Sequence, residues 1–314
     1  MNRGDMMNGE RNKVLEIDNL SVAFSMYDKG LVKKNLEVVH QLSIEAYQGE
    51  IIAVVGSSGS GKSILAHSIM GILPKNSKVT GSIKFMGRHL DYKYINQIRG
   101  KEIAFIPQSV EFLDPLMKIY KQVIGVYGTK EKQEKLFQEF DLDKSVEEMY
   151  PFQLSGGMAR RVLISTAMIN KVRLIVADEP TPGLSLELAI EALKHFRTLA
   201  DNGCSIVLIT HDIDLALNVA DRIAVFYAGT IVEIAKVEDF KKGKDYLRHP
   251  YSKAFIDALP QNEFKAISGF QPYAGNLPLG CLFYKRCPYR TQECLEKVKM
   301  RKLRDGEVRC VNAN

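Results

Sequence analysis

The chain has 314 residues, 46% hydrophobic and 25% charged, enough to bury a sizeable core and, at roughly 150 residues per domain, consistent with two domains. Its net charge of +6 suits an anionic ligand or a membrane surface but falls short of a dedicated nucleic-acid binder. The longest uncharged run, residues 266–284, contains Pro272, Pro278, Gln271, Asn276 and three glycines, so it would leave backbone groups unsatisfied in lipid and is not expected to span a membrane. The first residues, with Arg3, Asp5, Glu10, Arg11 and Lys13, hold no apolar segment of the kind a secretory leader needs, and the expectation is a cytosolic chain.

In chain order, residues 14–17, 38–44 and 82–85 read as half-exposed antiparallel strands. Short Ile- and Val-rich runs at 51–55, 103–106, 174–177, 206–210 and 223–226 predict strands of a mainly parallel sheet covered on both faces. Between them lie helical patterns at 64–73 and 186–199, and a charged helical insert at about 108–170 whose clearest helices are 131–140 and 159–169. The fold class expected is therefore α/β. The boundary is placed at a Lys-rich turn, giving a first domain over 1–243 and a second, Pro-punctuated one over 244–314.

The strongest chemical signal is Gly56-Ser57-Ser58-Gly59-Ser60-Gly61-Lys62-Ser63, set between a strand and a helix. Its glycines let backbone N–H groups turn inward around phosphate oxygens, and the following helix points its positive end at the same anion. Lys62 is expected to reach the β- and γ-phosphates, and Ser63 to place its hydroxyl on Mg²⁺. A second strand ends in Asp178-Glu179 at the carboxyl edge of the same sheet. Asp178 is expected to hold Mg²⁺ directly or through water, and Glu179 to orient or deprotonate the water that attacks the γ-phosphate.

With Leu154-Ser155-Gly156-Gly157-Met158 placed 23 positions before Asp178, the chain resembles the ATP-binding-cassette ATPases over about residues 14–235. The resemblance implies a P-loop NTPase fold of that type, with a helical subdomain and an antiparallel β subdomain. It makes Gln108 the Q-loop glutamine and a Mg²⁺ ligand, and His211 the switch histidine. ATP would be sandwiched at a head-to-tail dimer between one phosphate loop and the partner's Ser155, Gly156 and Gly157, whose helix N-terminus can meet the γ-phosphate. Gln153 through Met158, followed by Arg160-Arg161, is similar to the oligopeptide, dipeptide and nickel permease subgroup. Ser185 stands where the D-loop commonly has aspartate, which puts the symmetry of the two sites in question. For the adenine contact, Phe24 and Tyr27 are both candidates.

Four of five cysteines, Cys281, Cys287, Cys294 and Cys310, fall in the last 34 residues, and thiols in the cytosol stay reduced. Gaps of five, six and fifteen residues are wider than zinc sites usually use, so they favour a 4Fe-4S cluster with Zn²⁺ as the alternative; the resemblance implies the cluster too, in a small C-terminal Cys-rich domain. Cys204 reads as a packing residue.

The function expected is that of an ATP-hydrolysing importer subunit for short peptides or nickel and other chelates, at the cytoplasmic face of the membrane. The resemblance implies as partners two transmembrane permease subunits, a related second ATPase forming a heterodimer, and an extracellular substrate-binding protein, and no nucleic acid. Ser109, Phe112, Leu113, Leu116 and Met117, after Gln108, would dock a permease helix where they are not core. The alternatives are a soluble ATPase acting on ribosomes or nucleic acid and an ATP-liganded iron–sulfur sensor.

Overall fold

The computed structural model describes residues 12–27, 33–259, 262 and 264–313. Its strands are β1 (Lys13–Tyr27), β2 (Lys33–Tyr47), β3 (Ile51–Val55), β4 (Ser77–Phe85), β5 (Arg88–His89), β6 (Ile103–Ile106), β7 (Leu174–Asp178), β8 (Ser205–Thr210), β9 (Arg222–Tyr227), β10 (Thr230–Lys236), β11 (Arg301–Leu303) and β12 (Gly306–Val308). The helices are α1 (Lys62–Met70), α2 (Tyr92–Ile98), α3 (Ile119–Ile124), α4 (Lys130–Glu139), α5 (Gly156–Met168), α6 (Leu186–Asp201), α7 (Ile213–Val219), α8 (Val237–Lys241) and α9 (Pro250–Asp257).

The central sheet runs β11-β12-β10-β9-β3-β8-β7-β6, parallel from β9 to β6 and antiparallel over its other end. Every residue of β3 is buried because both faces are covered. The period-two geometry divides the strand between two cores: Ile51, Ala53 and Val55 join the one containing α5 and α6, and Ile52 and Val54 the one shared with the second sheet. That second sheet, β2-β1-β4-β5, is antiparallel, in keeping with its half-exposed strands.

The five predicted parallel strands all form, with Asp178 as the last residue of β7 rather than the first of a loop. The helical insert carries α3, α4 and α5 and no strand among its described residues. α5 begins earlier than its apolar pattern suggested because the Ser155 hydroxyl accepts from the Met158 N–H and caps it. α1 stops before its apolar pattern does, at Gly71, whose φ of 62° releases the chain.

The expectation of a separate small Cys-rich domain is corrected. The C-terminal hairpin β11–β12 extends the central sheet through β10, with Glu233 facing Val308 and Ile234 facing Glu307. Phe283 and Cys287 belong to the main core. Beneath this join, the fully buried Glu233 carboxylate accepts from the backbone N–H groups of Arg248 and His249 and pairs with the Arg248 guanidinium. Arg248 also donates to the Leu303 carbonyl and pairs with Asp239, so the buried charges are matched.

His249 lies in the same buried group, its Nδ1 accepting from the Tyr251 N–H at 3.0 Å, and burial pushes its pKa down to about 3. The folded protein therefore keeps this ring neutral while the unfolded chain takes up a proton below about pH 6.5. Stability is expected to fall by about 1.4 kcal/mol per pH unit on acidification from 6.5 towards 3 on account of this ring, and His249→Asn to remove that part of the slope in urea unfolding.

Candidate active site

The loop from Gly56 to Gly61 joins β3 to α1 at the carboxyl edge of the parallel sheet. A Cβ on Gly56 would stand 2.4 Å from the Phe226 carbonyl oxygen, so only glycine lets the loop lie this close to β9. Gly61 takes a φ of 105°, which turns the chain into α1. The Lys62 ammonium donates to the carbonyls of Gly56 and Ser57 at 2.8 and 3.0 Å, holding the loop in its curl.

The ends of β7 and β8 bring the acidic groups alongside. Glu179 Oε1 stands 3.9 Å from the Lys62 ammonium, and its Oε2 lies 2.8 Å from His211 Nδ1. Glu179 has a φ of 48°, a costly conformation for a non-glycine residue and typical of functional positions. Asp178 is buried with the Ser63 hydroxyl beside its carboxyl, and its Oδ1 has no hydrogen-bond partner. Burial pushes the Asp178 pKa up, and burial pulls that of Lys62 down against the pull of Glu179 and Asp178. An orphaned buried carboxylate oxygen beside a serine hydroxyl fits a hard divalent cation such as Mg²⁺.

Lys62, Ser63 and Glu179 border a cavity of about 520 Å³, within the range of small-molecule sites, lined by residues 58–64 with Gln108 and Glu179. Gln108 is exposed, and Arg160 of α5 fixes its backbone by donating to the carbonyls of Pro107 and Gln108. Of the two aromatic candidates, Phe24 lines the cavity, whereas Tyr27 is 63% exposed and lies away from it. Ser155 and Gly156 are exposed and are not among the cavity's walls, so within one chain the structure does not bring this motif to the phosphate loop. Phe112, Leu116 and Met117 are exposed, but Leu113 is buried core and cannot dock anything. Sequence reasoning missed Arg160 as the support of the glutamine, and it missed the cavity wall supplied by Gln271, Pro272, Tyr273, Ala274 and Leu277. No motif marks that wall; its only trace is a run of Pro, Gly and aromatic residues more than 200 positions beyond the loop.

The four C-terminal cysteines do converge, on one small closed cavity shared with His249 and Phe283, and all are free thiols. Burial pushes the Cys281 thiol up to about 11, with the neighbouring thiols adding to the effect. Among the described residues, however, no group of three or more His, Cys, Asp or Glu side chains could hold a metal ion. The Zn²⁺ alternative is left without support, since tetrahedral zinc needs its thiolates within bonding distance of one ion. The 4Fe-4S expectation gains no support from this geometry. Cys204 is buried in the core as expected.

A phosphate loop, a buried strand-end carboxylate pair and a histidine on one sheet edge, with a helical insert and an antiparallel sheet beside it, define an ATPase of the ATP-binding-cassette class. The family model described as ABC transporter matches residues 39–182, and that described as oligopeptide/dipeptide transporter, C-terminal region, matches 232–294. The dipeptide transport ATP-binding protein DppD of Haemophilus influenzae is 34% identical over 90% of this chain and 89% of its own. The oligopeptide transport ATP-binding protein OppD of Salmonella typhimurium is 31% identical over 95% and 93%. A bacterial ABC transporter cassette solved as a dimer shares the fold with a TM-score of 0.63, at 24% identity, over 71% of this chain and 98% of its own. The chain belongs to the ATP-binding proteins of ABC transporters, in the group that carries the oligopeptide/dipeptide transporter C-terminal region, and it hydrolyses ATP.

Lys62→Ala removes the one ammonium at the loop. MgATP affinity measured by calorimetry is expected to fall about thirtyfold or more, the worth of a charge-assisted hydrogen bond or two.

Proposed function

We propose that the chain energises import of short peptides across the cytoplasmic membrane, working as a peripheral subunit on two permease subunits. The observation that carries this is the coexistence, in one chain, of the cassette's catalytic edge and the oligopeptide/dipeptide transporter C-terminal region. Peptide cargo is favoured over nickel because the relatives matched along the chain are named for dipeptide and oligopeptide transport. The exposed Phe112, Leu116 and Met117 next to Gln108 are proposed to meet a permease helix, which would link cargo release to the site. No helix among the described residues is long and apolar enough to cross a membrane, which fits attachment through such partners. No observation favours the ribosomal, nucleic-acid or sensor alternatives.

In the mechanism proposed, Gly56, Ser57, Ser58, Gly59, Ser60 and Gly61 turn backbone amides to the phosphates and Lys62 binds the β- and γ-oxygens. Ser63, Asp178 and Gln108 would hold Mg²⁺, which when bound would neutralise charge developing on the transferred phosphoryl group. Glu179 takes the proton of the attacking water, and His211, bonded to its far oxygen, keeps the carboxylate aimed. Ser155, Gly156 and Gly157 serve the site of a partner ATPase, a role supported by the exposure of Ser155 and Gly156 and by the absence of all three from the cavity of their own chain. Ser185 still caps α6 by accepting from the Leu188 N–H but brings no charge to the partner, which supports an unequal pair, a heterodimer with a related ATPase. An extracellular binding protein would deliver the peptide to the permeases.

Glu179→Gln, expressed with its permeases and partner ATPase, is expected to keep the assembled complex and MgATP binding while phosphate release falls at least a hundredfold. Unchanged release would overturn the assignment of the base.

We further propose that the four C-terminal cysteines carry the 4Fe-4S cluster, a reading supported only by their gathering on one cavity; no step of hydrolysis runs through it. Protein purified without oxygen is expected to be brown and to carry iron and sulfide, and colourless, iron-free protein would refute the cluster.

A further inference from the structure

The nucleotide cavity has one wall built from far along the chain. The Ser57 hydroxyl of the phosphate loop donates to Gln271 Oε1 at 3.3 Å. From there residues 271–277 continue along the cavity to Leu277, which also borders a neighbouring hollow lined by Glu37 and His40 of β2. The segment therefore borders both hollows, and Phe24, Leu36 and Val38 add apolar lining to the nucleotide cavity. Between these anchors stands Tyr273, 68% exposed yet packed tightly on its own chain, since a Cβ on Gly275 would come within 2.5 Å of its ring. An aromatic face left largely in solvent on the wall of a cavity with apolar lining is unsatisfied packing surface, and stacking on a base is the interaction it can offer.

The segment is held in place from behind. Arg286 donates to the carbonyls of Ser268 and Ile267 at 2.9 and 3.1 Å and to the Tyr227 hydroxyl at 3.3 Å. Its side chain lies 3.5 Å from the point where a Cβ on Gly269 would sit, and Gly269 has a φ of 77° that turns the chain towards the cavity.

We propose that residues 269–277 are a strap acting in cis that completes the nucleoside end of the ATP site, with Tyr273 contacting the base and Arg286 as its positioning residue. The proposal rests on the phosphate loop holding ATP. It adds a specificity element from outside the cassette's motifs: Tyr273 rewards a base, whereas the phosphate loop rewards any triphosphate.

The test is calorimetric titration of the full chain and its Tyr273→Ala and Tyr273→Phe variants with MgATP and with magnesium tripolyphosphate. Tyr273→Ala is expected to weaken MgATP binding at least fivefold, to leave tripolyphosphate binding unchanged, and to be rescued by Tyr273→Phe. Unchanged MgATP binding by Tyr273→Ala, or equal losses for both ligands, would overturn the strap alone. A native chain that binds neither ligand would overturn the ATP site itself, and the strap with it.

Discussion

The molecule turns on the burial of three ionisable groups under imperfect pairing or backbone strain at one edge of a parallel sheet. Lys62 is satisfied only by loop carbonyls and a carboxylate 3.9 Å away, Asp178 keeps an unpaired oxygen, and Glu179 sits on a left-handed backbone. Each of these costs folding free energy. The cost is borne because the chain around them has no freedom to relax: β3 and β7 are buried on both faces, and Gly56 is pressed against β9. A polyanion with its cation supplies the charges the site lacks, so binding and preorganisation are two views of the same imbalance.

How much of this can be read along the chain depends on the distance between the residues that make each feature. The phosphate loop and the Asp178-Glu179 pair are local: a few adjacent residues, with the strand before them, set the backbone and hence the chemistry. The parallel strands are equally visible because double-sided burial forces unbroken apolar runs. The C-terminal hairpin is invisible because two three-residue strands leave no periodicity, and they exist only through pairing with β10. Arg160 reads as half of a basic pair until the insert folds it under Pro107 and Gln108. Leu113 and Phe112 are neighbours of similar character, and only the fold decides that one is core and the other surface.

A single chain assembles only part of its catalytic apparatus. The loop, the carboxylates, His211 and Gln108 meet at one edge, but the capped start of α5 is turned to solvent elsewhere. Arg160 gives that separation mechanical meaning, because the helix that begins with Ser155 also holds the backbone of Gln108. The position of α5 and that of the glutamine backbone are thereby tied.

The short hairpin at the end of the chain has a further effect. It occupies the free side of β10 and leaves Arg301 and Lys302 outermost, and cations on a bordering strand discourage pairing with another sheet. Shortened ahead of Arg301, the molecule would bare the β10 hydrogen-bonding groups as an adhesive rim, inviting self-association before any effect on turnover.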